Sequence, residues 1–224
     1  MDIYNKKYEE YWYSGAHGML ISSAHKLMEY GVPTRCNDRI LEIGGGAMPH
    51  RKWIKKGNIK EYTISDTKTV LDKLDKKAGY KLHYFDKDPI LAKLRKNYYT
   101  RIIAAQVWGH IPEPEQAMLR WVELLSENGL LSISIPCDPG ILWRLGQKVA
   151  SRKFMKLYNL SFEEYDIIMS REHINPVQRM LKIVNYYFGK KTVIFFPTFV
   201  PSVNLNLFCI LNLSKSDFKR RTGA

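Results

Sequence analysis

Short apolar runs and helix-like spacings of apolar residues alternate along this chain. Five runs of buried-strand character lie at 39–43, 61–66, 81–86, 101–107 and 130–135. Between them, apolar residues recur three and four positions apart, which is typical of amphipathic helices. Strands that alternate with helices form βαβ units, so the pattern predicts an α/β fold with a largely parallel sheet.

Glycine and proline residues mark the ends of the predicted helices. The helical spacing of the first segment ends at Gly31-Val32-Pro33. Pro49 opens a helix after the first strand, and Pro112-Glu113-Pro114 opens another before the fifth. The turn Glu127-Asn128-Gly129 ends that second helix. Shorter helices are expected at 69–77 and 90–96.

The alternation stops after Pro136. A basic, aromatic and helical segment follows from 141 to 188, and two closing strands are expected at 192–198 and 205–213. These strands are too close in sequence to hold a crossover helix between them, so we expect them to be antiparallel neighbours at one edge of the sheet. The pattern predicts a single domain, 1–224, with a helical lid at 1–36 and a helical substrate cover at 137–190.

Composition excludes several classes of protein. The chain has 224 residues, 45% of them hydrophobic and 25% charged, which suits one globular domain and no disordered or low-complexity region. No apolar run approaches the ~18 residues of a membrane span. The first residues carry acids and aromatics where a secretory signal has an apolar core, which predicts the cytoplasm. Cys36, Cys137 and Cys209 have no metal-binding or disulfide spacing and are expected to be buried.

The chain is strongly basic, with a formal net charge of +13. The surplus is concentrated from Cys137 onward, where 14 basic residues face 6 acidic ones. Such a charge favours an anionic partner, which could be a phosphate-bearing small molecule, a nucleic acid or an anionic membrane surface.

A glycine turn with three acidic residues supplies the candidate chemistry. Gly44-Gly45-Gly46 follows the first strand directly, where a backbone without side chains can approach a ligand. Glu42 would face an ammonium group, Asp66 would accept from two ribose hydroxyls, and Asp86 would accept from an exocyclic amine. An ammonium group, a ribose and an adenine amine in this order describe S-adenosylmethionine (SAM).

At these residues the chain resembles the class I SAM-dependent methyltransferases, over roughly 39–213. Leu41 to Gly46 is similar to the family's first motif, and Val107 to Glu113 is similar to its His-Ile-Pro-acidic stretch after strand four. Met48 stands where many members have a third glycine, which would crowd the turn.

The resemblance implies a Rossmann-like sheet of seven strands, mostly parallel with an antiparallel C-terminal strand, and SAM as cofactor with S-adenosylhomocysteine (SAH) as product. The predicted cofactor-binding residues are Glu42, Gly44, Gly45, Gly46, Asp66, Asp86, Lys87 and Gln106.

Methyl transfer to a hydroxyl group needs a general base on the loops that follow the strands. The candidates are His110 after strand four, Asp138 after strand five and His173 in the helical cover. Each also has a structural interpretation, as a residue packed against the sheet, a turn residue and a helix-capping residue respectively. Glu172 beside His173 could add an oxygen ligand, but a metal-dependent mechanism needs several, so no metal site is predicted.

The segment 143–156 is a basic amphipathic helix without acids. It could hold a phosphate-bearing substrate, lie on an anionic bilayer as a peripheral contact, or be a lid helix with a solvated face.

The sequence as a whole predicts a SAM-dependent methyltransferase that O-methylates a small or carrier-linked anionic acceptor. We expect a sugar, a nucleotide-linked or a lipid-linked envelope precursor, as in polysaccharide biosynthesis. An RNA methyltransferase and a non-catalytic scaffold of the same fold are the alternatives. Nucleic acid is disfavoured because Ala104-Ala105-Gln106-Val107 stands where base-modifying enzymes carry an Asp/Asn-Pro-Pro-aromatic pattern, and because no binding module is appended.

Overall fold

Seven strands form one sheet in the order β3-β2-β1-β4-β5-β7-β6. The computed structural model of the chain describes residues 15–46, 50–54, 59–74 and 79–219, with side chains from residue 18. The strands are β1 (Arg39–Ile43), β2 (Glu61–Asp66), β3 (Lys81–Tyr84), β4 (Tyr99–Ala105), β5 (Leu125–Pro136), β6 (Thr192–Phe196) and β7 (Phe208–Ser214). The helices are α1 (Gly15–Gly31), α2 (Lys68–Leu71), α3 (Pro114–Leu124), α4 (Ile141–Tyr158), α5 (Phe162–Glu172) and α6 (Val177–Tyr187).

Strand directions confirm the predicted fold class. Strands β1 to β5 pair in parallel, and β7 runs antiparallel to both β5 and β6. The chain order reverses between β1 and β4, so the loops after these two strands diverge and leave a crevice at their carboxyl ends.

The core lies on both faces of the sheet because alternate strand residues point to opposite sides. On one face, Leu41 belongs to a buried cluster with Trp121 of α3 and Val184 of α6. On the other face, Ile40 belongs to a cluster with Met28 of α1. The layers are therefore helix, sheet and helix, as βαβ units require.

The segment 90–96 was expected to be helical and is not. It forms turns, because Leu91 has a φ of 55°, outside the right-handed helical region. The Asp88 carboxylate accepts hydrogen bonds from the N–H groups of Ala92 and Lys93. The helix expected at 69–77 is the short α2, which ends at Leu71. Residues 75–77 of that expected helix lie outside the described part of the chain.

Two strand ends also differ from expectation. Strand β3 ends at Tyr84, because residues Phe85–Lys87 form a 3₁₀ turn. Strand β4 ends at Ala105, because Gln106 has a φ of 60°. Both differences place the residues after the strand in loops that open toward the crevice.

The turn predicted at Glu127-Asn128-Gly129 lies within β5 as an irregularity of the ladder. Tyr99 pairs with Leu125 but Arg101 pairs with Leu130, so residues 126–129 bulge out of the pairing. Gly129 suits the bulge, since a Cβ there would lie 2.9 Å from the Ser126 carbonyl oxygen.

The helical character predicted for 141–188 is confirmed, as three helices rather than one. Of the predicted lid at 1–36, residues 15–31 form α1; residues 1–14, like Met48 and Pro49, lie outside the described part.

Cys137 and Cys209 are buried, whereas Cys36 is exposed in the turn before β1, contrary to expectation.

Among the described helices, none combines the length and the apolar character that crossing a membrane requires.

Candidate active site

A cavity of about 690 Å³ lies at the carboxyl ends of β1, β2, β4 and β5. Its volume is within the range of small-molecule sites, roughly 300–1,000 Å³. Helix α1 contributes Leu20 and Ile21 to its wall, and the facing side is closed by residues of α4 and α5. The cavity therefore occupies the crevice that the strand order creates.

The glycine turn lines this cavity with bare backbone. Gly44 has a φ of 65° and Gly46 a φ of 57°, in the left-handed region that glycine adopts readily. A Cβ at Gly44 would lie 2.6 Å from Cγ2 of Val107, so a side chain has no room there. Gly45 faces the sheet instead, since its Cβ would meet Ile64 at 2.8 Å.

Asp66 lies beside the glycine turn at the end of β2 and lines the cavity. One carboxylate oxygen accepts the N–H of Gly46 at 2.9 Å, and the other accepts the N–H of Thr67 at 2.7 Å. Burial raises the pKa of Asp66 above its ordinary value. A carboxylate oxygen has two lone pairs, so Asp66 can accept further hydrogen bonds from hydroxyl groups in the cavity.

Asp86 reaches the same cavity from the 3₁₀ turn after β3, with Phe85 as an apolar wall next to it. Its carboxylate accepts the N–H of Lys68 at the start of α2. Lys87 is in the same turn but does not line the cavity; its ammonium group lies 5.7 Å from the centroid of the Tyr84 ring.

Gln106 lines the cavity after β4. Its side-chain Nε2 donates to Ser134 Oγ at 2.7 Å, and its backbone N–H donates to the Ser134 carbonyl at 2.9 Å. These two bonds fix Gln106 against β5 and hold the turn between the strand and His110.

Glu42 lies behind the glycine turn rather than in the cavity. Its side chain is buried, with one carboxylate oxygen accepting the His50 N–H and the other accepting the Tyr62 hydroxyl, each at 2.7 Å. Burial raises its pKa to about 8. These contacts tie Glu42 to the segment that follows the glycine turn, and its contact with an ammonium group stays a prediction.

A buried polar network behind the glycine turn was not foreseen from the sequence. His50 contacts His25 through the two Nδ1 atoms at 2.8 Å and Glu29 through Nε2 at 2.7 Å, and Arg101 pairs with the same Glu29 carboxylate. Burial lowers the pKa of His25 to about 3 and lowers the pKa of His50. With both rings neutral, His50 Nε2–H donates to Glu29, so His25 Nδ1–H must donate to His50.

The three base candidates come together on the opposite side of the cavity. His173 Nδ1 lies 3.0 Å from an oxygen of Asp138, and the rings of His173 and His110 meet edge to face with centroids 4.9 Å apart. The indole of Trp143 stacks on His173 at 6.0 Å. Because a carboxylate only accepts, His173 carries its hydrogen on Nδ1, which leaves Nε2 as the proton-accepting nitrogen.

His110 and His173 line the cavity together with Glu172, whereas Asp138 lies behind His173. His110 Nδ1 is 3.7 Å from a Glu172 oxygen. Burial, and secondarily the charge of His173, lowers the pKa of His110. Glu172, which the sequence analysis considered only as an oxygen ligand for a metal, belongs to this cluster because it directly precedes His173.

Backbone contacts hold the cover over the loop that carries His110. The buried Asn175 donates its N–H to the Gly109 carbonyl at 3.1 Å and its side-chain Nδ2 to the Ile111 carbonyl at 2.6 Å. The Val177 N–H donates to the Asp138 carbonyl at 3.0 Å. These contacts bring together residues from three separate loops.

Within the described part of the chain, no group of three or more His, Cys, Asp or Glu side chains is arranged to hold a metal ion.

No protein-family model and no curated protein matches this sequence. Among solved structures, the CurJ carbon methyltransferase matches with a TM-score of 0.62 and 16% identity, over 95% of this chain and 58% of its own length. A SAM-dependent methyltransferase from Archaeoglobus fulgidus matches with a TM-score of 0.65 and 12% identity, over 94% of this chain and 100% of its own. The plantazolicin methyltransferase BpumL in complex with SAH matches with a TM-score of 0.58 and 15% identity, over 92% and 93% of the two chains. At these identities the similarity is one of fold, and the chain spans little more than half the length of CurJ.

Proposed function

Since the chain has the fold of the SAM-dependent methyltransferases, we propose that it transfers a methyl group from SAM to a hydroxyl of a small or carrier-linked acceptor. One observation carries the proposal. A single cavity is lined on one side by a glycine turn with two carboxylates and on the other by His173, which Asp138 contacts from behind, so that cofactor and acceptor can meet inside it.

The residues of the first side fit the cofactor. Gly44 and Gly46 present backbone without side chains, Asp66 and Asp86 can accept from ribose hydroxyls and from an adenine amine, and Phe85 offers an apolar face to a flat ring. When bound there, SAM supplies a methyl group on a positively charged sulfur, and SAH is the product.

The residues of the second side suit a hydroxyl acceptor. As the oxygen takes on the methyl group it must lose its proton, and in this proposal Nε2 of His173, a residue that lines the cavity, accepts it. Asp138 holds His173 in the required tautomer and stabilises the imidazolium that forms. His110 and Trp143 pack on the ring and limit its rotation. The proton then leaves His173 to solvent.

The net charge supports an anionic acceptor. It is +13 over the whole chain, which favours phosphate-bearing ligands. We therefore propose a phosphate-bearing acceptor, such as a sugar, a nucleotide-linked or a lipid-linked envelope precursor.

Calorimetry with SAM and SAH on the purified protein, with NAD as the control ligand, tests the cofactor assignment. We expect both sulfur ligands to bind with micromolar affinity and NAD not to bind. Failure of SAM and SAH to bind would favour the scaffold alternative. Methyl transfer to RNA, with binding that weakens steeply as salt rises, would favour the RNA methyltransferase alternative.

Replacing Asp66 tests the same assignment at one residue. Asp66→Ala removes an acceptor of charge-assisted hydrogen bonds, each worth about 1.5–3 kcal/mol, so the affinity for SAH is expected to fall by about 10- to 100-fold. Asp72→Ala, which removes an exposed carboxylate paired with Lys68, is the matched control and should leave SAH affinity unchanged. Unaltered SAH binding in a folded Asp66→Ala protein would mean that the cofactor assignment is wrong.

A further inference from the structure

Helix α4 presents two chemically different faces. Toward the protein, Trp143, Gly146, Gln147 and Ala150 line the cavity. On the opposite face, Ile141, Leu145 and Val149 are spaced four residues apart, so they form one stripe along the helix. Their exposed fractions are 62%, 54% and 68%, which is unusual for three neighbouring aliphatic side chains.

Basic residues flank this aliphatic stripe on both sides. They are Arg144, Lys148, Arg152, Lys153 and Lys156, and all five are exposed. Helix α4 contains no acidic residue. Within the described residues none of the five has an ion-pair partner, although the Lys148 ammonium lies 5.7 Å over the Phe162 ring. The charges on this face are therefore not neutralised by any side chain that the structure describes.

The loop between β6 and β7 adds apolar surface beside the start of α4. A Cβ at Gly140, just before the helix, would lie 2.3 Å from the Val203 carbonyl oxygen, so the two segments are in close contact. Phe199, Val200 and Leu205 of this loop have exposed fractions of 62%, 47% and 50%, and 199–205 carries no charged residue.

We propose that the outer face of α4, with the 199–205 loop, docks on the surface of an anionic lipid bilayer. An interfacial helix has an apolar stripe that enters the boundary between headgroups and acyl chains, with lysines and arginines beside it that contact anionic headgroups. Nucleic acid fits this face less well, because its phosphates would pair with the basic residues but leave the aliphatic stripe exposed to water.

Docking has a consequence for the acceptor, and this step rests on the proposed function. The other face of the same helix lines the cavity, so a docked protein holds its cavity one helix diameter from the membrane, about 10 Å. The acceptor that fits this geometry is an amphiphile with a phosphate-bearing headgroup, which reaches the cavity while its chain stays in the bilayer.

Vesicle sedimentation with the full chain tests docking without reference to catalysis. The probes are vesicles of phosphatidylcholine alone and vesicles of phosphatidylcholine with phosphatidylglycerol in roughly a two-to-one ratio. We expect binding to the mixed vesicles and little to the neutral ones, with added salt weakening it. Equal binding to both vesicle types, or to neither, would overturn the proposal.

Two variants assign the binding to this surface. Arg144→Gln/Lys148→Gln/Arg152→Gln should lower the vesicle partition coefficient by about fivefold per charge, roughly 100-fold in all. Ile141→Ser/Leu145→Ser/Val149→Ser should also lower it while leaving the charge unchanged. The matched control is Lys190→Gln/Lys191→Gln, which removes exposed charges before β6, at the end of the sheet away from the cavity, and should lower it much less. If the control lowers the partition coefficient as much as the first variant does, vesicle binding is not specific to the outer face of α4.

Binding of SAH, measured on every variant, separates this proposal from the proposed function. Vesicle binding without SAH binding would support the docking surface and contradict the methyltransferase assignment. SAH binding without vesicle binding would support the methyltransferase assignment and contradict the docking surface. If the aliphatic variant abolishes self-association in analytical ultracentrifugation and vesicles do not compete with it, the face is an interface between two copies of the chain and docking is wrong.

Discussion

At the scale of single residues, the pairing of His173 with Asp138 decides what the cavity can do. The two side chains are separated by 35 positions in the sequence and by 3.0 Å in the structure. A histidine alone could hold its hydrogen on either nitrogen, whereas the carboxylate fixes it on Nδ1 and leaves Nε2 as a base. In the proposed function, Asp138 is therefore a positioning residue and His173 is the group that contacts the acceptor.

This division of roles predicts different effects of two substitutions. His173→Gln removes the base and is expected to lower kcat by about 10²- to 10⁴-fold, while Asp138→Asn leaves a base in the wrong tautomer and should lower kcat with little change in KM. SAH affinity should be unchanged in both. Steady-state kinetics over a range of pH, with a competent acceptor, give the measurement.

Asp166→Asn is the matched control, since it removes an exposed carboxylate of α5 outside the cluster. Its kcat should equal that of the unmodified protein. If Asp138→Asn keeps full kcat and the same pH profile, Asp138 is a turn residue and the base is elsewhere.

Glu42 shows where residue-level prediction from the sequence reaches its limit. Its position before the glycine turn was correct, but strand residues alternate between faces. Leu41 belongs to the cluster with α3 and α6, and Ile40 to the cluster with α1, so Glu42 points toward α1 and meets His50 there. His50 and His25 carry no motif, so their arrangement around Glu29 depends on packing that the sequence does not encode locally.

At the scale of elements, helix α5 sets the position of the residues that close the cavity. Ser161 caps its start, with its Oγ accepting the Glu164 N–H at 3.1 Å while the Glu164 carboxylate accepts the Ser161 N–H at 2.7 Å. The other end of the same helix carries Glu172, followed by His173. A defect at the start of α5 is therefore expected to loosen the cover at its far end.

Ser161→Ala should destabilise α5 by about 1 kcal/mol. Hydrogen exchange of the amides in 162–172 should become about fivefold faster, while exchange in the central strands stays the same. Ser170→Ala is the matched control, because Ser170 lies in the same helix, is exposed and donates to a carbonyl rather than capping the start. Equal exchange rates in both variants would mean that the cap does not limit opening of the cover.

Elements could be predicted where local residues determine them, and were missed where a distant or side-chain contact does. Pro114 begins α3 as expected, and the closing strands are antiparallel because the chain between them is short. The segment 90–96 has helical spacing, yet Leu91 has a φ of 55°, outside the right-handed helical region, and the N–H groups of Ala92 and Lys93 donate to the Asp88 carboxylate, which His83 contacts at 2.9 Å. Spacing alone gives no indication of such a backbone conformation.

At the scale of the whole molecule, the cavity is built from segments that are far apart in the chain. Leu20 of α1, Asp66 after β2, Trp143 of α4 and Phe208 of β7 all line it. The parallel order predicted that acids at strand ends would meet, because the carboxyl ends of parallel strands share one edge. The contributions of α1 and β7 depend on how the outer layers pack, so they could not be read from motifs.

The buried network behind the glycine turn should control how stability depends on pH. Burial raises the pKa of Glu42 from 4.5 to about 8, so the folded protein keeps a proton there that the unfolded chain releases. The free energy of unfolding therefore falls as pH rises from 4.5 to 8, by at most about 1.4 kcal/mol per pH unit. His25, with its pKa lowered from 6.5 to about 3, acts in the opposite sense, because the unfolded chain takes up a proton as pH falls below 6.5. The two effects cancel between about pH 4.5 and pH 6.5, so from these two groups the free energy of unfolding should be level there and should decline above pH 6.5 and below pH 4.5.

Glu42→Gln separates the effect of Glu42 on the pH dependence of stability from the effect of the histidines. Glutamine can still accept from the His50 N–H and can donate to the Tyr62 oxygen, but it does not titrate. Urea denaturation at a series of pH values should show that the variant loses stability as soon as the pH falls below 6.5, because the effect of His25 is no longer offset, and that it lacks the loss between pH 6.5 and pH 8. Glu127→Gln, an exposed acid outside the network, should follow the unmodified protein throughout. A Glu42→Gln protein that still loses stability toward pH 8 would show that Glu42 is ionised in the fold, in which case its carboxylate would be charged as an ammonium contact requires.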